Sequence, residues 1–371
     1  GDVFTKKEQL EHSIAEPTYF SATTLSNDTS AIDRLMEQLK NDVYKEPQNA
    51  TVLFTPQAEE PFYYEEGRNG QYIDSDPIQE AILESVERME SREIQLEQYI
   101  EYQAPEITVA QLQENRQLRG SYETKIRIRT KTHDLRTNSE NRLHNISLSI
   151  DALNDYNVII DPGKSFSFND IVGRRTVEKG YKEAIEYVNG KEEIGIGGGV
   201  CQTSTTIYLA AVRAGMKITE RRSHSLETGY AEKGKDATVY MDGRPIDLKF
   251  KNTTDAPIYL VGKVYNHSGE NYCKFDVYGA DPKGISYDIQ TNELIIIPPE
   301  DQVLPDKKGE YVMYTDEEYY LKQEARDGVE VERFLIKYVN GEEVSREQLE
   351  TDIYKPKGNI YYTGIHERPM E

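Results

Sequence analysis

The alternation of hydrophobic and polar residues divides the chain into segments with helical spacing and segments with strand spacing. Apolar residues three and four positions apart predict amphipathic helices over residues 30–39, 76–89 and 143–153. Alternating or short apolar runs predict strands over residues 50–54, 94–100, 122–130, 158–160, 218–222, 237–241, 247–251 and 258–264. The dipeptides Asn189-Gly190 and Asn340-Gly341 follow strand-like runs and predict tight hairpin turns.

The order of these elements predicts an α+β multidomain protein. Residues 1–28 are polar and weakly patterned, and we interpret them as a tether. Residues 29–119 combine helices and short strands in a small α+β domain, interpreted as a spacer or binding module. Residues 120–282 form a central domain, and residues 283–371 have only strand patterns and predict an all-β module. The run from Leu294 to Pro299 is a linker or an edge strand of that module.

A glycine-rich loop, Gly195-Ile-Gly-Gly-Gly-Val, leads into Cys201 in the central domain. The segment from Ile207 to Ala214 is apolar nearly all round, as in a buried helix, and Gly215 is suited to end that helix. We therefore predict that Cys201 begins a helix packed on an antiparallel sheet. The positive end of a helix dipole favours a thiolate, which makes Cys201 a candidate nucleophile.

Composition narrows the class of function. The chain has 44 basic and 66 acidic residues, a net charge of −22, which argues against a nucleic acid as partner. Two cysteines in 371 residues exclude a disulfide scaffold, and Cys273 is interpreted as a buried strand residue. No apolar run reaches the length of about 20 residues that spans a membrane. Because the chain begins at Gly1 without an initiator methionine, we expect a signal or anchor helix to precede it in the full-length protein.

A nucleophilic cysteine needs a base, a group that orients the base, and donors that stabilise an oxyanion. His224 follows the first strand after the cysteine helix and is the candidate base. Asp236 stands at the start of a later predicted strand and is the candidate orienting group. The order cysteine, histidine, acid is also that of papain-like and transglutaminase-like enzymes, which is an analogy of arrangement alone. The alternatives are a small buried cysteine, a surface histidine and an aspartate that caps a turn.

Further residues around this motif are candidates for binding the substrate or its oxyanion. The backbone amides of Cys201 and Gln202 are natural oxyanion donors at a helix start. Glycines let a substrate approach the backbone, and arginines bind a carboxylate or, alternatively, serve as structural ion-pair partners. The candidate residues are Gly198, Gly199, Gln202, Ser204, Thr205, Arg174, Arg222 and Ser225.

The glycine loop does not fit the common nucleotide-binding motifs. It lacks the Gly-Lys-Ser/Thr ending of a phosphate-binding P-loop and the third glycine of a dinucleotide fingerprint. No His-Glu-x-x-His or paired-cysteine spacing supports zinc. We predict no metal and no cofactor.

A set of short motifs around these candidates carries a family resemblance. The motifs are Gly197-Gly-Gly-Val-Cys-Gln-Thr-Ser-Thr-Thr-Ile-Tyr208, Ser167–Gly173, Gly180-Tyr181, His224-Ser225, Asp236–Val239, Asp247–Asn252 and Pro257-Ile258. They cover about residues 121–266 and resemble the VanW family. Residues 30–118 resemble a peptidoglycan-binding domain that often precedes such domains. Residues 284–371 are similar to the five-glycine extracellular adhesion domain through the run Glu332–Glu343, although several of its glycines are missing.

The resemblance to the VanW family implies a peptidoglycan L,D-transpeptidase. By this likeness, Cys201 attacks the carbonyl of the third residue of a donor tetrapeptide stem and expels the terminal D-alanine. His224 takes the thiol proton and later protonates the leaving amine. Transfer to the amine of a neighbouring stem gives a 3→3 cross-link, and transfer to water makes the protein an L,D-carboxypeptidase.

The flanking segments imply an extracytoplasmic protein of the Gram-positive cell wall or cell surface. Its contact with a membrane is expected only through an N-terminal anchor that lies outside this chain. The alternatives to the transpeptidase are a non-catalytic peptidoglycan-binding scaffold and a cysteine peptidase of wall-associated peptides.

Overall fold

The computed structural model describes residues 30–128, 133–188 and 191–368 and divides the chain into two compact units. The first unit contains residues 30–53 and Tyr63–Gln113, and the second contains Phe54–Phe62 and the chain from Glu114 onward. The predicted segments 120–282 and 283–371 both fall in the second unit. The predicted tether, residues 1–28, lies outside the described residues. None of the helices in the described ranges is long and apolar enough to cross a membrane.

The N-terminal part of the chain is built from short helices and strand pairs. Its elements are α1 (Ser30–Val43), β1 (Thr51–Phe54), β2 (Phe62–Glu65), β3 (Gly70–Ile73), α2 (Asp76–Arg88), β4 (Ile100–Gln103) and α3 (Val109–Glu114). Strand β1 pairs with β2, and β3 pairs with β4. The apolar stripes of α1 and α2 meet in a core that contains Ile32, Met36 and Ile78, which confirms the two predicted helices.

The strand predicted over residues 94–100 is wrong in part. Leu96–Tyr99 is a 3₁₀ helix, and the strand begins only at Ile100. Leu96 and Tyr99 both pack on the core of the first unit, and their separation of three residues is the repeat of a 3₁₀ turn. Contact with the core therefore determines the local conformation here, against the alternating sequence pattern.

The second unit is centred on an antiparallel sheet and two long helices. Its elements as far as residue 279 are β5 (Gln117–Ile126), α4 (His133–Asp155), β6 (Ile159–Ile160), β7 (Ser165–Ser167), α5 (Phe168–Val172), β8 (Glu183–Val188), β9 (Lys191–Ile196), α6 (Val200–Arg213), β10 (Lys217–Glu220), β11 (Lys249–Lys251), β12 (Ile258–His267) and β13 (Glu270–Gly279). The main sheet has the strand order β5-β13-β12-β6. Helix α6 packs on β5 and β13, and α4 packs on β12. The predicted arrangement of a cysteine-bearing helix on an antiparallel sheet is confirmed.

Helix α6 is buried along almost its whole length. Every residue from Val200 to Val212 except Cys201 is buried, and Gly215 follows the helix with φ of +79°. The helix can be surrounded in this way because its apolar residues and its hydroxyl-bearing residues all find partners inside the unit. Cys273 lies on β13, wholly buried, and both cysteines are free.

Two smaller sheets lie beside the main one. Strands β7, β10 and β11 form the first, in the order β10-β11-β7, and β8 and β9 form an antiparallel hairpin. Val188 pairs with Lys191 in that hairpin, as the turn signal predicts, while the dipeptide 189–190 itself lies outside the described residues.

The strand predicted over residues 237–241 is wrong, apart from a single bridge between Tyr240 and Ile246. The backbone of Ala237 is bound to side chains of α6 instead: its carbonyl accepts from Ser204 Oγ at 2.7 Å, and its N–H donates to Thr205 Oγ1 at 3.0 Å. These contacts replace a strand partner and hold the segment along the first turns of the helix.

From Ile285 to residue 368, where the described part of the chain ends, the elements of secondary structure are all strands, as predicted. They are β14 (Ile285–Ile297), β15 (Gln302–Pro305), β16 (Tyr320–Gln323), β17 (Gly328–Val339), β18 (Glu342–Tyr354) and β19 (Ile360–Thr363), in the sheet orders β14-β17-β18 and β15-β19-β16. Asn340 and Gly341 join β17 to β18 with φ of +52° and +86°, which confirms the second hairpin signal. Strand β14 packs on α6, and its Ile289 belongs to the main core of the second unit.

Candidate functional site

The glycine loop brings the chain into α6 with Cys201 as the second residue of the helix. Gly197 and Gly199 have φ of +93° and +110°, a conformation that favours glycine. A side chain at Gly198 would lie 2.6 Å from the Ala184 carbonyl oxygen. The positions of these glycines therefore follow from the path of the backbone and from close packing. Gly198 and Gly199 also line the cavity described below, and their role in binding a substrate stays a prediction.

The two predicted oxyanion donors differ in availability. The Gln202 N–H donates to the Gly199 carbonyl at 2.8 Å and is already engaged. The Cys201 N–H has no acceptor among the described residues, as expected of an amide in the first turn of a helix. The structure therefore leaves the Cys201 amide as the donor for an oxyanion formed beside the sulfur.

The polar side chains in the first turns of α6 form hydrogen bonds with other groups of the protein. Gln202 accepts from Arg142 at 2.8 Å and donates to Thr124 Oγ1 at 3.0 Å, so its amide is satisfied within the protein. The Ser204 and Thr205 hydroxyls donate to the Ala237 carbonyl at 2.7 and 3.3 Å. Ser204 and Thr205 are wholly buried and do not line the cavity, which corrects their predicted role in binding an oxyanion or substrate.

The Cys201 thiol is partly exposed and faces the segment that follows Asp236. Its Sγ lies 3.5 Å from the Thr238 hydroxyl and 3.5 Å from the Val239 carbonyl oxygen. Burial raises the pKa of this thiol, but its interaction with the nearby His224 imidazolium, together with the bonds to Val239 and Thr238, outweighs burial and lowers the pKa from 9.0 to about 7. At neutral pH about half of the Cys201 side chains are therefore thiolates.

His224 is buried between Cys201 and Asp236. Its Nδ1 and its backbone N–H each lie 2.6 Å from Asp236 Oδ2. Burial lowers the pKa of the imidazole, but the hydrogen bond to Asp236 and the nearby Cys201 thiolate raise it from 6.5 to about 9. Burial raises the pKa of Asp236, yet the His224 and Arg221 charges lower it from 3.8 to about 2. All three shifts favour the charged forms, namely thiolate, imidazolium and carboxylate.

The second oxygen of Asp236 is held by Tyr354, which sequence reasoning missed, and by Arg221, one of the arginines for which it left a structural ion-pair role open. The Tyr354 hydroxyl donates to Oδ1, and the Arg221 guanidinium lies 3.6 Å from the same atom. Arg221 also donates to the Asp236 backbone carbonyl and to both oxygens of Asp352, each at 2.6 Å. Tyr354 stands 118 residues after Asp236 and is one of 27 tyrosines, so no pattern in the sequence singles it out.

A cavity of about 630 Å³ opens at the Cys201 thiol. It is lined by His224 and by the predicted binding residues Arg174, Arg222 and Ser225. Its walls carry five cationic and two acidic side chains, namely Arg142, Arg174, Arg175, Arg222 and Lys355 against Glu186 and Asp242. A cavity with excess positive charge in a protein of net charge −22 favours an anionic ligand.

The cationic residues of the cavity are not equivalent. Arg175 donates to Asn169 Oδ1 and to the Gly173 carbonyl, both at 3.0 Å, and therefore holds the wall together. Arg174 is largely exposed and pairs with Asp242. Arg222 and Lys355 form no ion pair with any residue in the described ranges, which makes them the best placed to bind a substrate carboxylate.

Tyr230 is a further residue of the cavity that the sequence did not reveal. Its ring lies edge to face with His224 at 6.4 Å between centroids, and the Arg142 guanidinium lies 5.5 Å above it. Burial and the nearby Cys201 charge raise its pKa well above the ordinary value, so its hydroxyl stays protonated. Tyr230 thus covers one side of the histidine with an uncharged ring.

Comparison with known families separates the chain into two recognised segments. Residues 141–272 match the family described as "VanW like protein", and residues 293–364 match the G5 domain. Cys201, His224 and Asp236 all lie in the first segment, and Tyr354 lies in the second. The resemblance of residues 30–118 to a peptidoglycan-binding domain stays a prediction.

Two similar proteins each match about a third of this chain. The protein described as "Uncharacterized protein YoaR" of Bacillus subtilis (strain 168) is 42% identical over 132 residues, and the match covers 36% of this chain and 42% of that protein. The "Vancomycin B-type resistance protein VanW" of Enterococcus faecalis (strain ATCC 700802 / V583) is 35% identical over 121 residues, covering 31% of this chain and 42% of that protein. The chain thus spans less than half the length of each relative.

Solved structures match about a fifth of the chain. The "IgA1 Protease G5 domain structure" is 28% identical, covers 22% of this chain and 89% of its own, and has a TM-score of 0.16. The "Crystal structure of HP0197-G5" is 18% identical, covers 22% and 97%, and has a TM-score of 0.13. The family matches, rather than these weak superpositions, confirm both resemblances: residues 141–272 form a VanW-like domain, and residues 293–364 form a G5 domain.

Proposed function

We propose that this protein is a cysteine acyltransferase of the cell wall, an L,D-transpeptidase with L,D-carboxypeptidase activity when water is the acceptor. The observation that carries the proposal is the arrangement of Cys201, His224 and Asp236 at the floor of a cationic cavity. A thiol of lowered pKa beside a buried, oriented histidine is the arrangement that nucleophilic catalysis by cysteine requires.

The proposed reaction proceeds in two acyl-transfer steps. The Cys201 thiolate attacks the carbonyl carbon of the third residue of a tetrapeptide stem, and the Cys201 amide binds the resulting oxyanion. The His224 imidazolium donates its proton to the nitrogen of D-alanine, the C–N bond breaks, and a thioester remains on Cys201. Neutral His224 then takes a proton from the amine of a second stem or from water as that group attacks the thioester, and the thiolate is released.

The charge of the cavity supports an anionic acyl donor. A stem that ends in D-alanine carries a terminal carboxylate, and Arg222 and Lys355 lie on the cavity wall without acidic partners among the described residues. Their charges would bind that carboxylate beside the scissile bond. Asp236 stays ionised through its bonds to His224 and does not compete with the substrate for protons.

The two recognised domains support the location. The VanW-like and G5 domains together indicate a cell-wall-associated protein. The relative from Enterococcus faecalis is described as a vancomycin B-type resistance protein, and the resemblance to the VanW family implies peptidoglycan stems as substrates. We therefore extend the proposal from acyl transfer in general to stem peptides as donor and acceptor, in an extracytoplasmic setting.

Purified protein incubated with tetrapeptide muropeptides tests this function. We expect released D-alanine and dimers with the mass of a 3→3 cross-link, and we expect Cys201→Ala to lower both by at least about 1,000-fold while the protein stays folded. Cys273→Ala is the matched control, because it removes the other cysteine from a buried strand position and leaves Cys201 in place.

The possible products separate the proposal from its alternatives. Activity that survives in folded Cys201→Ala overturns it. No product from the wild type, with retention on purified sacculi, identifies a non-catalytic scaffold. Cleavage of a peptide library that lacks D-residues, with muropeptides left intact, identifies a cysteine peptidase.

A further inference from the structure

We infer that the C-terminal β region is a working part of the acyl-transfer site, in which Tyr354 positions Asp236 and Lys355 binds the carboxylate of the acyl donor. The inference rests on the proposed function, since it assigns residues to the same site. It concerns residues of the G5 domain, which begins more than 50 positions after Asp236. The contacts that carry it are all within the second compact unit.

Tyr354 stands at the end of β18 and is 2% exposed. Its hydroxyl donates to Asp236 Oδ1 and accepts from the Gly234 N–H at 2.6 Å. The phenol therefore binds both the carboxylate and the backbone turn that precedes it. A hydroxyl with one donor bond and one acceptor bond to the same short segment fixes the position of that segment.

The contacts of Asp236 are divided between its two oxygens. Oδ2 receives both bonds from His224, and Oδ1 receives the bond from Tyr354 and the charge of Arg221 at 3.6 Å. Rotation of the carboxylate would break contacts on both sides. Without the Tyr354 hydroxyl, Oδ1 keeps only the longer contact with Arg221 among the described residues, so the carboxylate is free to turn away from His224.

A second layer of buried charges from the same region supports this arrangement. Asp352, two residues before Tyr354, binds Arg221 through both oxygens at 2.6 Å. Arg333 on β17 donates to the Gly234 carbonyl at 2.7 Å and lies 3.4 Å from Asp352. Arg221, Arg333 and His224 thus supply three positive charges, and Asp236, Asp352 and the Cys201 thiolate supply three negative ones. The C-terminal region thus adds one positive and one negative charge to the cluster, and Asp352 pairs with the arginine that lies beside Asp236.

Lys355 directly follows Tyr354 at the end of β18 and lies at the cavity. Its backbone N–H donates to the Ser225 carbonyl at 2.8 Å, directly after His224, and its side chain lines the cavity. The side chain is exposed and pairs with no acidic residue in the described ranges. Two consecutive residues of the G5 domain therefore lie on opposite sides of His224: Tyr354 on the buried side and Lys355 on the side of the cavity.

Packing alone does not account for these contacts. An interface between two domains is stabilised by apolar surface, which β14 already supplies through Ile289. The buried polar contacts of Tyr354, Asp352 and the Arg333 Nε are made instead with Asp236, with the Gly234 turn before it, and with Arg221 beside it. These are the groups that set the orientation of His224.

The pH dependence of Cys201 alkylation by iodoacetamide tests the role of Tyr354 in the whole chain. We expect Tyr354→Phe to raise the pH midpoint of Cys201 alkylation from about 7 to about 8, which lowers the thiolate fraction at pH 7 by about fivefold. Transpeptidation at pH 7 is expected to fall in kcat with little change in KM. Tyr338→Phe is the matched control, since this tyrosine of β17 makes no hydrogen bond through its hydroxyl among the described residues.

The outcomes distinguish failure of the inference from failure of the proposed function. If Cys201 of the wild type alkylates with a midpoint near 9, like a free thiol, the proposed nucleophile is overturned. If the wild type has the low midpoint and folded Tyr354→Phe keeps the same profile, the positioning role is overturned.

Lys355 has a separate test that does not depend on the stability of the buried cluster. We expect Lys355→Gln to raise KM for a tetrapeptide donor at least about threefold with kcat unchanged, and to leave KM unchanged for a donor whose terminal carboxylate is amidated. Equal KM values for wild type and variant with the free carboxylate would overturn the assignment.

Discussion

Replacing Asp236 with asparagine is expected to remove the negative charge of this side chain while keeping its shape. Asparagine is nearly isosteric, and its amide oxygen can still accept from the His224 backbone and imidazole where Oδ2 now lies. Its amide nitrogen would then face Tyr354, and also the Arg221 guanidinium that now lies 3.6 Å from Oδ1. The geometry around His224 is largely retained, while the negative charge that stabilises its imidazolium is lost.

The size of the effect follows from the pKa values of the pair. The His224 pKa is raised from 6.5 to about 9, and the bond to Asp236 is the largest of the contributions that raise it. This rise corresponds to about 3 kcal/mol at 1.36 kcal/mol per unit, which Asp236 shares with Cys201. Because the imidazolium in turn lowers the pKa of the Cys201 thiol to about 7, loss of the carboxylate moves that pKa back towards 9.0. At pH 7 the thiolate fraction then falls from about one half towards about one hundredth, up to about fiftyfold.

Rates of alkylation between pH 5 and pH 10, read by mass spectrometry at each cysteine, measure this change. Cys273 is an internal control, since burial raises its pKa to about 12 and it is wholly buried on β13. Asp242→Asn is the matched variant, because Asp242 also pairs with an arginine of the cavity but is exposed and does not contact His224. A folded Asp236→Asn protein whose Cys201 midpoint stays near 7 would refute the reasoning.

Two further predictions concern stability. The Asp236 pKa is depressed from 3.8 to about 2, so the carboxylate contributes about 2 kcal/mol to the free energy of unfolding above pH 3.8, and this contribution is lost as the pH falls through about 2. In urea unfolding, the difference in the free energy of unfolding between the wild type and Asp236→Asn should narrow over that pH range. A difference that stays constant with pH would contradict the prediction. Gly199→Ala should destabilise the protein by about 1–3 kcal/mol, since φ is +110° and the new Cβ would lie 2.8 Å from Arg142 Cγ. Gly163→Ala, with φ of +75° and open space around it, is the control for backbone strain alone, and equal losses of stability would exclude the packing contribution.

The parts of the site that could be predicted are those with a local signal. The buried helix α6 follows from apolar residues on every side of it, and Cys201 follows from the glycines before it. His224 and Asp236 were candidates because a reactive thiol needs a base and an orienting group, and the structure brings both to Cys201.

The rest of the site depends on contacts between distant positions. Residues 237–239 alternate like a strand, but their backbone binds the Ser204 and Thr205 side chains of α6, which no periodicity reveals. Ser204 and Thr205 are candidates for binding an oxyanion or substrate because their hydroxyls lie next to Cys201 in the sequence. Buried hydroxyls in a helix usually donate to nearby carbonyl groups instead. Tyr354 and Lys355 reach the site only through the packing of β18, so the sequence alone does not place them there.

The hydrogen bond between Asp236 and Tyr354 has a consequence for the order in which the chain matures. It closes a loop of 118 residues, and such a non-local contact forms late because the entropy of closing the intervening chain must be overcome first. During synthesis the helix, the thiol and the histidine are all made before the hairpin of β17 and β18 emerges. The nascent protein therefore lacks the Tyr354 bond to Asp236 until its last strands fold, and under the proposal above the site would be completed as one of the final events of folding.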